Sequence, residues 1–323
     1  MHVATTPSEL TLRAAPPSGT LVAGIAGASG YAGRELARLL AGHPAFTVGQ
    51  RQARSEGYDA LDVEALAVCD MVFLCLPHGE SATFGNALAH VGTPVVDLGS
   101  DFRLAEGWVY GLTELARDSI AGAARVSNPG CYATAAVLAL APLVRAGLLD
   151  GPPAIDGKSG VSGAGRVPSE KTHLPSVHGG VQPYSPTGHR HIAEIERALS
   201  EIAGEPRLVT FTPHLAPHSR GLEITAYARL TEPLTQDDAE QLYRVAYAGE
   251  PFVRVTQKPH PGLLHGSNAV DIGVWVDART NTVIAAAALD NLVKGAAGQA
   301  LQNANLMLGL DEGLGLTSEG LGA

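Results

Sequence analysis

Glycines at 27, 30 and 33 constrain this chain more than any other feature. They follow directly on the apolar run Leu21-Val22-Ala23-Gly24-Ile25-Ala26, and Arg34-Glu35-Leu36-Ala37-Arg38-Leu39-Leu40 continues as an amphipathic helix. Spaced G-x-x-G-x-x-G, they permit a tight strand-to-helix turn, close approach of a pyrophosphate to helix N–H groups, and helix–strand packing. The spacing is not the commoner G-x-G-x-x-G, and an ordinary glycine-rich βα turn has the same composition. The strand before it and the helix after it are what point to a dinucleotide, with Gly27, Ser29, Gly30, Tyr31 and Gly33 as contacts. A second strand, Phe46-Thr47-Val48-Gly49, comes next. Where an acidic residue would hold a ribose 2′-hydroxyl, the chain reads Gln50-Arg51-Gln52-Ala53-Arg54-Ser55. Arg51, Arg54 and Ser55 suit a 2′-phosphate, so NADP is expected rather than NAD. Strands at 71–76 and 94–97 continue the α/β alternation. The loop after the first carries Pro77 and His78, and loops at such carboxyl ends are where nicotinamide and substrate meet. The stretch 97–103 lies where it could line the same crevice.

A thiol supplies the second constraint. Cys131 sits in Ser127-Asn128-Pro129-Gly130-Cys131-Tyr132, turn formers that run into the apolar stretch Ala135-Ala136-Val137-Leu138-Ala139-Leu140. The pattern predicts a cysteine at or beside a helix N-terminus, where unpaired N–H groups and the helix dipole favour thiolate and lower its pKa. The same N–H groups suit an oxyanion formed on a substrate carbonyl. Packing alone is the other reading, since free cysteine is among the most buried residue types. That reading is preferred for Cys69 and Cys75, which lie in and beside a buried strand. With no C-x-x-C pair there is neither a disulfide framework nor a thiolate zinc site, and a reducing, cytoplasmic setting fits.

Two polar segments beyond this helix bear on the chemistry. Lys158-Ser159-Gly160-Val161-Ser162-Gly163-Ala164-Gly165-Arg166 reads as a Gly/Ser loop ending in a cation, either a phosphate or carboxylate cradle or a flexible surface loop. Pro186-Thr187-Gly188-His189-Arg190-His191 is a turn running into an amphipathic helix. Two histidines two residues apart do not share a helix face, which counts against a metal pair, and no third ligand is obvious. One of them as acid/base partner to Cys131 is the better reading once a nicotinamide site stands alongside. His218-Ser219-Arg220 adds another arginine able to bind an anion.

The formal net charge is −10, from 22 Lys and Arg against 32 Asp and Glu, which argues against a nucleic-acid partner. No apolar stretch approaches the roughly 18 residues needed to cross a membrane. Residues 1–19 are polar and proline-bearing and read as a flexible extension.

Taken together, these segments resemble the N-acetyl-γ-glutamyl-phosphate reductases, relatives of the aspartate-semialdehyde dehydrogenases. The resemblance runs from about Val22 to Leu310. It is carried by the Gly27–Gly33 turn, Leu76-Pro77-His78-Gly79, Asp97-Leu98-Gly99-Ser100-Asp101-Phe102-Arg103, and Tyr110-Gly111-Leu112-Thr113-Glu114-Leu115. It continues through Asn128-Pro129-Gly130-Cys131-Tyr132, the 159–166 run, His189-Arg190-His191 and Asp290-Asn291-Leu292-Val293-Lys294-Gly295-Ala296-Ala297-Gly298-Gln299.

What the resemblance implies is an α/β chain. A Rossmann-type NADP-binding domain would take 20–127 and 295–323. An α+β catalytic and oligomerisation domain with a mixed sheet would take 128–294. Cys131 would be the nucleophile, with His189 the first choice of acid/base and His191 the second. Ser159, Gly160, Asn291, Gly295 and Gln299 would complete the cofactor pocket. Asn128, Ser162, Gly163, Arg166, His189 and Arg220 would face the substrate. The activity would be NADPH-dependent reductive dephosphorylation of an acyl phosphate through a cysteine thioester, in a homo-oligomer, a tetramer or a dimer. The related reductase that takes a carrier-bound aminoadipyl phosphate, and a nucleotide-binding module without catalysis, are the rival readings. Thr113 and Ala193 stand where the family commonly has proline, and the stretch from Ser55 to Leu66 is short for it.

Overall fold

The computed structural model describes residues 19–322, so the expected N-terminal extension falls, but for Gly19, outside the described residues. The chain opens as an alternation of strands and helices. β1 (Leu21–Ala26), α1 (Tyr31–Ala41), β2 (Phe46–Gln52), α2 (Val63–Ala67), β3 (Met71–Leu74), α3 (Ser81–Val91) and β4 (Val95–Asp97) lead to β5 (Val109–Tyr110), α4 (Thr113–Ile120) and β6 (Arg125–Ser127). These strands form one parallel sheet in the order β2-β1-β3-β4-β6-β5. Its central strands read as continuous apolar runs because both faces are covered; all four residues of β3 are buried.

β2 is longer than its apolar part suggested and includes Gln50, Arg51 and Gln52. It is an edge strand, so alternate side chains can face water, and Arg51 does. The glycine turn behaves as its spacing demands. Gly27 has φ +85°, and a Cβ there would collide with the Cys75 carbonyl, while one on Gly33 would collide with the Gly27 carbonyl.

The second half begins with α5 (Cys131–Arg145), whose thirteen residues from Tyr132 to Val144 are all buried. A helix apolar on every side has to lie inside the protein. It packs on the inner face of a seven-stranded mixed sheet built from β7 (Ala154–Gly160), β8 (Gln182–Pro183), β9 (Thr210–Ala216), β10 (Leu222–Arg229), β11 (Val253–Val255), β12 (Val270–Asp277) and β13 (Thr282–Leu289). The sheet order is β11-β12-β13-β10-β7-β9-β8. Three further α-helices follow α5 among the described residues of this half, the single turn α6 (Leu174–Val177), α7 (His191–Ala203) and α8 (Gln236–Ala246). Leu222, Ile224, Ala226, Val283, Ala285 and Ala287 alternate inward toward α5.

Lys158-Ser159-Gly160 proves to be the end of β7, and only Val161–Ala164 beyond it forms a short turn of 3₁₀ helix. The reason is pairing on both sides, parallel to β9 and antiparallel to β10, which satisfies backbone that composition alone reads as loop. After β13 a π-type turn (Val293–Ala297) leads into α9 (Gly298–Met307). This segment returns to the first sheet, where Val293, Ala297, Ala300, Leu301, Ala304 and Met307 join the core formed by β1, β3 and α1.

Candidate active site

One cleft of about 840 Å³ runs between the two sheets, with Gly27, Gly30 and Gly33 at one end and Cys131 with His189 and His191 at the other. Its nucleotide end is lined by Ser29, Tyr31, Arg54, Ser55 and Pro77, with Ser29 and Ser55 joined hydroxyl to hydroxyl at 3.0 Å. The glycine cradle and this polar rim fit a dinucleotide. His78 also lines the cleft, and Asp101 holds its loop by pairing with His78 and accepting the N–H groups of Gly79 and Ala82.

At the thiol end, Cys131 is the first residue of α5, with Gly130 as the extended residue before it. The helix start expected from the sequence is therefore present, but the expected low thiol pKa is not. Burial pushes the Cys131 thiol up to about 11, against the opposing pull of Arg103, the Tyr132 N–H and Arg190. Desolvation outweighs the helix end at this thiol. Gly295 covers the thiol's other side, and a Cβ there would stand 2.7 Å from the Cys131 Cβ.

The two histidines share the pocket although they share no helix face. His189 precedes α7 and His191 begins it, and their rings meet edge to face with centroids 4.6 Å apart. Burial drives both toward the neutral form, with help from the positive charges of Arg190 and Arg103. His189 is pushed down to about 4, and burial holds His191, packed against Gly130, well below the ordinary histidine value. The His189 Nδ1 accepts the His191 N–H at 3.2 Å, which places the proton of a neutral His189 ring on Nε2. Among the described residues, no group of three His, Cys, Asp or Glu side chains is placed to hold a metal ion.

Two buried residues complete this end that were not among the sequence's site candidates, although Arg103 ends the 97–103 stretch expected to line the crevice. Arg103 donates from Nε to the Asn128 carbonyl and from Nη1 to Glu194. Glu194 also accepts the Gly130 N–H at 2.7 Å and the Tyr110 hydroxyl at 2.8 Å. The spacing of Glu194, three residues after His191 on one face of α7, was the available signal. The 97–103 stretch pointed to the crevice, but nothing local marks Arg103 as the residue that reaches Glu194.

Not every sequence candidate reaches the cleft. Ser159, Ser162, Gly163, Arg166, Asn291 and Gly295 line it, with Asn291 donating to the Ser162 hydroxyl at 2.9 Å. Arg166 donates to the Ser29 carbonyl at 3.1 Å, so it crosses to the nucleotide turn rather than toward Cys131. Arg51 lies outside, on the exposed face of edge strand β2. Gly160 is also outside, enclosed by the backbone of Ser219 and Arg220. Arg220 is held by Glu35 of α1 and by Asp290, whose Oδ2 accepts from Nε at 2.6 Å. Asn128 is spent on the Ala296 carbonyl and Asn303, and Gln299 donates to Gly111 and Thr113. These polar groups join the C-terminal segment to the rest of the chain, which explains their burial.

Two family models match the chain. The NAD binding domain of semialdehyde dehydrogenase matches residues 22–123, and its dimerisation domain matches residues 131–291. Among curated proteins, the N-acetyl-gamma-glutamyl-phosphate reductase of Symbiobacterium thermophilum is 45% identical, over 93% of this chain and 99% of that one. The reductase of the same name from Geobacillus stearothermophilus is 42% identical, over 91% and 97%. Among solved structures, aspartate semialdehyde dehydrogenase II of Vibrio cholerae, complexed with ASA, aligns with a TM-score of 0.73. That alignment covers 90% of this chain and 99% of the other at 20% identity, a likeness of fold. The fold class expected from the sequence is borne out.

Proposed function

The chain belongs to the N-acetyl-gamma-glutamyl-phosphate reductases of the semialdehyde dehydrogenase family, and on that premise we propose how its residues turn an acyl phosphate into an aldehyde. The substrate is N-acetyl-γ-glutamyl phosphate, the product N-acetylglutamate 5-semialdehyde, and the reductant NADPH. The observation that carries this reading is Cys131 at the first turn of a buried helix, in the same cleft as the glycine turn.

Cys131 attacks the acyl carbon, its proton passes to His189 at Nδ1, the ring nitrogen without a hydrogen, in exchange for the His191 N–H, and the bond from that carbon to the phosphate oxygen breaks, leaving a thioester on sulfur. The cationic Arg103 and Arg190 lower the cost of negative charge at the sulfur, and they favour binding of a phosphorylated substrate. The Tyr132 N–H, already directed at sulfur, belongs to the helix end that would stabilise charge developing there. When bound, NADPH supplies the hydride that reduces the thioester carbon. His189 gives its proton to the oxygen of the resulting thiohemiacetal, takes it back as the C–S bond breaks to aldehyde and thiolate, and returns it to the sulfur, which restores the thiol. Glu194 orients this end by holding Arg103, Tyr110 and the Gly130 N–H together.

The protein works as a homo-oligomer through the outer face of the second sheet. There Tyr227, Ile284 and Trp275 lie side by side on β10, β13 and β12, an apolar row pointing away from α5. No helix among the described residues is long and apolar enough to cross a membrane, and three unpaired cysteines fit a reducing cytoplasm.

The deciding experiment is phosphate-dependent oxidation of N-acetylglutamate semialdehyde with NADP. Turnover that requires phosphate and vanishes after stoichiometric alkylation of Cys131 supports the reading. Turnover without phosphate, or untouched by alkylation, removes it.

A further inference from the structure

The sequence leaves Glu80 unassigned, and the reaction does not use it. It follows β3, stands just before α3 with no side-chain bond to that helix's N–H groups, and lines the nucleotide end of the cleft opposite Arg54. The Arg54 Nη1 meets Glu80 Oε1 at 2.7 Å. Arg54 is 71% exposed and Glu80 30%, so the arginine is the solvent-facing partner and the carboxylate the more enclosed, anchored one. The anchoring is local, since the Glu80 N–H bonds to the Pro77 carbonyl at 3.1 Å. Glu80 Oε2 is enclosed and has no hydrogen-bond partner among the described residues, so the carboxylate is held through Arg54 on its other oxygen.

Arg54 occupies the position after the second strand where a Rossmann domain reads the ribose 2′ substituent, with an arginine for a phosphate and an acid for a hydroxyl. Here both residue types are present, and they are bound to each other. A 2′-phosphate arriving at Arg54 has to take the guanidinium from Glu80 and then sit beside a like charge. A bare 2′-hydroxyl can instead donate to the carboxylate. We propose that Glu80 is a specificity-determining residue of the dinucleotide site, holding Arg54 in the free protein and limiting how far a 2′-phosphate is preferred over a 2′-hydroxyl. This rests on the reading of Arg54 as part of the 2′-phosphate site. Ser29, Ser55 and Arg166 stand around the same point and do not depend on Glu80.

The test is fluorescence titration of the full chain with NADPH and with NADH, for the parent, Glu80→Gln, Arg54→Ala and the double variant. Releasing one exposed ion pair predicts that Glu80→Gln binds NADPH about two- to five-fold tighter, while NADH affinity stays level or weakens. Arg54→Ala is expected to weaken NADPH about ten-fold and leave NADH nearly unchanged. In the Arg54→Ala background, Glu80→Gln is expected to add nothing. If Arg54→Ala weakens NADPH but Glu80→Gln does not alter the NADPH-to-NADH ratio, the assignment of Glu80 is overturned by itself. It is overturned equally if the gain from Glu80→Gln survives without Arg54. If Arg54→Ala leaves the ratio unchanged, the 2′-phosphate reading of Arg54 falls, and Glu80's role with it.

Discussion

The nucleotide end of the cleft is built from Gly27, Ser29, Gly30, Arg54 and Ser55, two short stretches joined by neighbouring parallel strands. The thiol end needs Cys131, Arg103, His189, Glu194 and Gly295, drawn from four stretches spread over most of the chain. The first end is open and polar, and Arg54 there faces solvent. The second is dry enough to raise a thiol pKa and lower two histidines. Binding a cofactor asks mainly for backbone shape, which glycine spacing can encode locally. Acyl transfer asks for charges held in low dielectric, which only long-range packing supplies.

The sharpest attack on this contrast is Cys131→Ser. Phosphate-dependent turnover is expected to drop at least about 10³-fold while NADPH binding stays within about two-fold, since the two ends share no side chain. Parallel loss of both would show the ends to be one unit.

His189→Asn comes next. The kcat is expected to fall about 10²- to 10⁴-fold, with Cys131 still alkylated stoichiometrically by iodoacetamide. The pH dependence follows from the same burial. His189 is neutral in the folded protein down to about 4, whereas the unfolded chain protonates it near 6.5, as any free histidine. Its contribution to stability is therefore intact above 6.5 and lost as pH falls toward 4. Thermal melts should show His189→Asn losing less stability than the parent between pH 7 and pH 4.5. Alkylation of Cys131 in the ligand-free protein should keep accelerating through pH 9, toward the raised value near 11. A plateau below pH 8 would show that the helix end outweighs burial after all.

Arg220→Ala tests a residue that lies between the two ends and serves neither directly. Its ion pairs to Glu35 and Asp290 predict a loss of about 1–3 kcal/mol in stability, read as a lower Tm, with substrate KM changed little. A raised KM at unchanged Tm would restore it to the substrate. Arg51→Ala is the smallest case, with NADPH affinity expected to stay within about two-fold because the side chain lies outside the cleft.

Much of the nucleotide end was legible because its information is local. A strand, three glycines and a helix determine one another within a few residues, whatever the remainder of the chain does. The misreadings have a common cause in pairing that composition does not reveal. The second strand reads as Phe46 to Gly49, yet an edge strand also accepts the polar Gln50-Arg51-Gln52, and pairing on both sides holds Lys158-Ser159-Gly160 in β7.

By itself, the sequence determined the glycine turn, the placing of Cys131 at the start of a helix, and the two histidines as its companions in one family of reductases. Tertiary structure alone decided the protonation of those groups and the company they keep. It buried the thiol, brought Arg103 and Glu194 to the Gly130 N–H, and turned Arg166, Arg220 and Gln299 to other partners. The reason is physical: backbone geometry at a turn depends on adjacent residues, whereas desolvation and charge depend on whatever the fold brings near.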